Sequence, residues 1–176
     1  MKNSIKLTDL KLEWINEPKH SKIESGKVSI ITDPQTDFWQ RTYYGFQNNN
    51  APALLSKIAD KYFSFVVKTE FNSKQRYDQC GVIIYQNSDN WFKASIEYEN
   101  EEFQRLGSVV TNNGYSDWAT TDIPAIQKFM YYRLSRREND FCIESSYDGI
   151  NYKQMRIFHL FSANETINIG IYACSP

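Results

Sequence analysis

The chain has almost no excess of either charge: twenty lysines and arginines stand against twenty-one acidic residues, a net charge of −1. A surface built for a phosphate backbone carries a basic surplus, so this balance argues against a nucleic-acid partner. Long apolar runs are missing as well. No window approaches the roughly 18 residues of a membrane span, and the opening MKNSIKLTDLKLEW lacks the apolar stretch of a signal peptide. Cysteine is scarce. Cys80, Cys142 and Cys174 are odd in number and match no metal spacing. They read as reduced thiols of a cytoplasmic protein, with Cys80 and Cys174 packed inside apolar strand patterns. Glycine-rich phosphate loops and nucleophile elbows are lacking, as is an acidic loop suited to calcium. His20 and His159 lie far apart, without ligand spacing. No metal and no cofactor are expected.

What is present in quantity is aromatic: 12 Tyr, 11 Phe and 4 Trp make up 15% of the chain. Aromatic and β-branched residues favour pleated, half-buried surfaces. Strand-like runs recur between turn signals at Gly26 to Thr32, Phe38 to Phe46, Tyr62 to Phe71, Tyr77 to Glu99, Phe103 to Thr111, Phe129 to Arg137, Asp140 to Tyr147, Tyr152 to Phe158 and Ile167 to Cys174. Counting Tyr77 to Glu99 as a pair, this gives about ten strands. Only Ala51 to Asp60 reads as a helical turn, so the crossover helices of a parallel sheet are missing. At 176 residues the chain fits one domain, residues 1–176. The class is all-β, a two-sheet antiparallel sandwich with its alternating apolar residues inside.

Two hairpins can be paired by inspection. Around Asn87 to Asn90, a bulged loop sets Cys80, Val82 and Ile84 beside Phe92, Ala94 and Ile96 on one face. The other face then carries Gln79, Gly81, Ile83, Tyr85, Trp91, Lys93, Ser95 and Glu97. A two-residue loop at Glu138–Asn139 sets Arg133 opposite Glu144 and Leu134 opposite Ile143. Asp148-Gly149 marks a third turn.

The phrases DFWQRTYYGF, YDQCGVIIYQNSDNWFKASIEYE, RLGSVVTNNGYSDWAT, YRLSRRENDFCIESSYDG and IGIYACSP resemble the bacterial and fungal family called domain of unknown function 1349, the regulation-of-enolase-like proteins. The resemblance runs from Trp14 to Pro176. It implies a concanavalin A-like lectin/glucanase sandwich, a jelly roll of two curved sheets with a ligand site on the concave face, and it brings no catalytic motif. Family members usually continue past ACSP into a further strand. A sheet edge near Ile167 to Cys174, or at the N-terminal strand, is therefore expected to be unpaired and open to a homodimer.

Trp91, Lys93, Ser95 and Glu97 share one strand face, where side chains repeat about every 6.6 Å, on the scale of a sugar ring. Aromatic faces stack on the apolar side of a pyranose, and charged or amide groups bond its hydroxyls. With Gln79 and Tyr85 beside them they form the candidate ligand surface. Trp118, in GYSDWAT, could wall a pocket from a loop or strand start, and Arg133 joins if its sheet lies beside Lys93. The solvated-face alternative treats Lys93–Glu97 as a surface ion pair worth about 0–1 kcal/mol. In DFWQRTYYGF the set Trp39, Arg41, Tyr43 and the set Phe38, Thr42, Tyr44 are equally aromatic, so periodicity leaves their facing open. Three functions stay in view: a non-catalytic carbohydrate or polar small-molecule binding module, a glycoside-active enzyme with Glu97 as acid/base and Asp78 or Asp117 as its partner, and a regulatory protein-interaction domain. IEYENEE lacks the central aspartate of the glucanase strands of this fold, which leans against the enzyme.

Overall fold

A computed structural model describes residues 4–176. Seven antiparallel strands form the larger sheet in the order β1 (Glu13–Ile15), β6 (Ala53–Ile58), β15 (Ile167–Cys174), β8 (Gln79–Asn87), β9 (Asn90–Tyr98), β10 (Phe103–Asn112) and β11 (Tyr115–Pro124). The smaller sheet runs β14 (Lys153–His159), β13 (Asp140–Ser146), β12 (Phe129–Arg137) and β7 (Tyr62–Glu70). Two short hairpins complete it, β2 (His20–Glu24) with β3 (Lys27–Ile31) and β4 (Phe38–Gln40) with β5 (Gln47–Asn49). This is the concanavalin A-like two-sheet sandwich.

The alternation of β9 explains the layering. Phe92, Ala94 and Ile96 pack with Val82 and Ile84 against Tyr132, Leu134, Phe141 and Ile143 of the smaller sheet. Phe92 stacks on Phe158 at 4.0 Å between ring centroids. The bulge falls between Tyr85 and Asn87, and Cys80 meets Ile96, Val82 meets Ala94 and Ile84 meets Phe92. Had the loop lacked that bulge, Lys93 would face the core, so burial selects the register. Gly81 lets the strands close up: a Cβ there would come 1.8 Å from the Ala94 carbonyl oxygen. In the smaller sheet Arg133 pairs with Glu144 and Leu134 with Ile143. The Asp148-Gly149 turn joins β13 to β14, with Gly149 at a φ of 73°.

Three expectations are corrected. Ala51 to Asp60 forms no helical turn; its centre is β6, paired on both sides by β1 and β15. Burial on both sheet faces makes such a strand an unbroken apolar run, which carries no period-2 signal. Phe38 to Phe46 is not one strand: β4 ends at Gln40, and Arg41, Tyr43 and Gly45 take positive φ values of 56°, 62° and 75° to turn the chain back into β5. The stretch Ile167 to Cys174 is not an edge, because β15 sits between β6 and β8. The edges of the larger sheet are β1, the expected N-terminal strand, and β11.

Candidate functional site on the concave sheet

The face of β9 turned away from the smaller sheet carries Trp91, Lys93, Ser95 and Glu97, and the pairing sets Tyr85 beside Trp91, Ile83 beside Lys93 and Gln79 beside Glu97. The sequence grouped these residues correctly, but the hollow they share is only partly open. The β4–β5 hairpin and the segment leading into it lie across one end. Phe38, fully buried, places its ring 5.6 Å from Tyr85, 5.8 Å from Trp91 and 6.3 Å from Tyr172. Trp91 is 0% exposed and donates its indole N–H to the Ser88 carbonyl at 3.1 Å. The Tyr85 hydroxyl is held by the Asn49 amide at 2.9 and 3.0 Å.

Lys93 is 4% exposed, and its Nζ donates to Asp37 Oδ1 at 2.9 Å. Burial pulls its pKa down, while the Asp37 carboxylate pulls it up, and the balance is upward. The cation is therefore fixed and neutralised within the protein rather than offered to a ligand. The surface pair Lys93–Glu97 does not form: Lys93 is spent on Asp37.

Beyond Lys93 a polar network continues. The Tyr172 hydroxyl lies 2.8 Å from both Gln79 Oε1 and Ser95 Oγ, and Gln79 Nε2 donates to Glu97 at 3.1 Å. Glu97 is half-buried and has no cation at ion-pair distance among the described residues. Burial raises its pKa to about 7, with Asp37 and Glu99 pushing the same way against Lys93 and Arg105. Near neutral pH its carboxyl is poised between donor and acceptor. Gln79, Lys93, Ser95, Glu97, Arg105 and Trp118 enclose a cleft of about 10 Å³, room for roughly one water. Arg105 lies over the Trp118 ring at 5.6 Å.

Trp118 sits within β11, not on a loop, and its strand position pairs it with Val109, next to Lys93. On its far side opens a groove of about 620 Å³, walled by Trp39, Thr42, Tyr43, Tyr44, Tyr115, Ser116 and Asp117. The remaining candidates go elsewhere. Asp117 projects to the opposite side of β11 and pairs with Arg156 of β14 at 3.1 Å. Asp78 caps a turn, accepting from the Lys74 and Gln75 amides at 2.8 and 2.9 Å. Arg133 belongs to the smaller sheet, in a two-pronged pair with Glu144 at 2.6 and 2.8 Å, beneath the Tyr152 ring. None of the three meets Glu97, and no His, Cys, Asp or Glu cluster among the described residues is arranged to hold a metal.

Asp37, Arg105 and Tyr172 were missed by sequence reasoning. Asp37 lies 56 residues from its partner Lys93, and no spacing rule joins them. Tyr172 carried a usable signal: it alternates with Ile171 and Ala173 in IGIYACSP, on a strand buried on both faces. The cysteines take no part as nucleophiles. Burial raises the Cys174 thiol well above its ordinary value and pushes Cys80 up to about 12.

These features define a concanavalin A-like β-sandwich whose concave face is polar and half covered by a hairpin. The chain belongs to the family described as protein of unknown function DUF1349, which it matches over residues 14–176. It is 31% identical over 163 residues to "Regulation of enolase protein 1" of Saccharomyces cerevisiae, covering 93% of this chain and 80% of that one. A crystal structure of a functionally unknown protein from Saccharomyces cerevisiae superposes with a TM-score of 0.86 at 30% identity, covering 94% of this chain and 87% of the other. The GH43 protein BlXynB of Bacillus licheniformis shares the fold at a TM-score of 0.68 and 16% identity, over 90% of this chain but 32% of its own. No helix among the described residues is long and apolar enough to cross a membrane.

Proposed function

We propose that this chain is a non-catalytic cytoplasmic module that binds a carbohydrate or another polar small molecule on the concave face, at the Glu97–Trp118 end. The observation that carries the reading is the Glu97 carboxyl, half-buried in a polar cleft beside Gln79 and Ser95 with no cation at ion-pair distance among the described residues. A buried polar group without full compensation is costly, and a ligand hydroxyl relieves that cost. The cleft accepts one such group, and the rest of the ligand lies along Trp118. Trp91, Lys93 and Tyr85 support this face from beneath the hairpin.

The glycoside-active reading is weaker, because a hydrolase needs two carboxylates about 5–9.5 Å apart across the bond. Asp37 is bound to Lys93, while Asp78 and Asp117 do not face Glu97. A regulatory protein-interaction role is the second reading. It is favoured by the relative's printed name and by the hairpin that fills part of the hollow with Phe38. Calorimetric titration with a panel of sugars and polyols tests the proposal. Binding that weakens tenfold or more in Glu97→Gln is expected, about 1.4 kcal/mol. Absence of binding across the panel removes the module reading. Turnover that vanishes in Glu97→Gln while binding persists replaces it with an enzyme.

A further inference from the structure

The groove beyond Trp118 is unlike the rest of the surface. Four aromatic walls converge there around Trp39, whose ring centroid lies 5.5 Å from Tyr44 and 6.4 Å from Trp118, the latter nearly perpendicular at 81°. Tyr43 is 95% exposed and meets Tyr44 edge-on at 5.2 Å, and Tyr115 is 64% exposed. Two lining residues have polar atoms with no partner among the described residues: the indole Nε1 of Trp39, a side chain only 7% exposed, and the hydroxyl of Thr42. Buried donors are nearly always paired, and each exception calls for an explanation.

Charge narrows the explanation. A cationic group already stands at the groove, Arg41 over the Tyr115 ring at 5.9 Å, while Arg105 lies over Trp118 at 5.6 Å from the side of the Glu97 cleft. The Asp117 carboxylate turns to the other side of β11, where it is paired with Arg156. A quaternary ammonium is the usual guest of an aromatic cage. Here it would meet the Arg41 guanidinium over the Tyr115 ring, and it has no acceptor for the Trp39 N–H. A neutral ring with acceptor oxygens satisfies both conditions: its C–H face covers an aromatic wall, and an oxygen takes the orphan donor.

We propose that this groove receives a ring of a neutral sugar, lying against the tyrosine walls with one oxygen accepting from Trp39 Nε1. The inference rests on the binding-module reading and supplies its ligand class. Trp39 Nε1 and Thr42 Oγ1 are both shielded from solvent, so the Thr42–Gly45 turn must shift as the ring enters. That turn is a separate unit, closed by Arg41 N–H to the Phe46 carbonyl at 2.9 Å and Gly45 N–H to the Arg41 carbonyl at 2.8 Å.

The test follows the indole N–H resonances of the full chain, with Trp39 assigned from Trp39→Phe, during titration with xylobiose, cellobiose and, separately, choline. A disaccharide should move the Trp39 resonance, and Tyr44→Ala should weaken its binding at least tenfold. Tyr43→Ala, at an exposed position with nothing to unfold, should weaken it severalfold. Movement by choline alone overturns the assignment to neutral sugars. Sugar binding that Glu97→Gln weakens, but that leaves Trp39 unmoved and Tyr44→Ala unaffected, overturns the groove and spares the module. No binding of any sugar overturns both.

Discussion

The two faces of β9 are built from alternate residues of one strand and reach opposite outcomes. Phe92, Ala94 and Ile96 enter a core that the smaller sheet closes completely, and every partner there is apolar or nearly so. Trp91, Lys93, Ser95 and Glu97 look the other way and are closed by a hairpin, Phe38 to Asn49, and its flanks, rather than by a sheet. A sheet covers a sheet along its whole length. A hairpin covers part of it, so burial fades from Trp91 to Glu97. The burial is apolar where Phe38 reaches, ionic at Lys93–Asp37, and open only at Glu97 and Trp118. The difference teaches that the open end of the strand is set by where the covering hairpin stops.

The comparison breaks first on truncation. If the hairpin side is a true second core, Trp91→Ala should cost about as much as Phe92→Ala, roughly 4 kcal/mol each. Chemical denaturation reads both, and a Trp91→Ala cost under about 1 kcal/mol would show the hairpin to be a loose cover. Next is the ion pair that joins hairpin to sheet. Asp37→Ala strands the buried Lys93 cation and should cost about 3 kcal/mol. The double change Asp37→Leu with Lys93→Met should recover most of that, because an apolar pair of similar volume carries no desolvation penalty. Failure of the double variant to regain stability would mean that the pair orients the hairpin rather than merely neutralising charge.

Much of this arrangement was legible before any coordinates. Strict alternation in β9 and β12, with the bulged loop at Asn87–Asn90, fixed which residues share a face, because a one-residue slip would have buried Lys93 among Phe92's partners. The sandwich followed from strand count and the lack of helical periodicity. What stayed hidden was cover. Phe38 and Trp39 lie in a segment aromatic on both faces, and their positions depend on three positive-φ residues in a turn that no dipeptide signal announces. Nor could the open hollow be distinguished from a filled one, since Trp91 has the same sequence environment in either case. Asp37 contacts Lys93 through tertiary placement alone, and β6 read as helical because a strand buried on both sides loses its alternation.

The smallest expected effect is also the sharpest probe of where cover ends. Glu97 holds its proton up to about pH 7 in the folded chain, whereas the unfolded carboxyl releases it near about 4.3. Between those values the folded state binds a proton that the unfolded state has lost, so stability declines as pH rises through the window and levels off above it. Partial solvation limits the decline to about 1–2 kcal/mol. Glu97→Gln keeps the shape and the Gln79 contact but cannot ionise. The variant should therefore match the parent near pH 4.5 and exceed it by about 1–2 kcal/mol at pH 8, read from urea midpoints across the range. Parallel profiles would mean that the carboxyl is as solvated as an ordinary surface glutamate. The hairpin's influence would then end at Lys93, and the cleft beside Trp118 would be a shallow depression with no electrostatic character to offer a ligand.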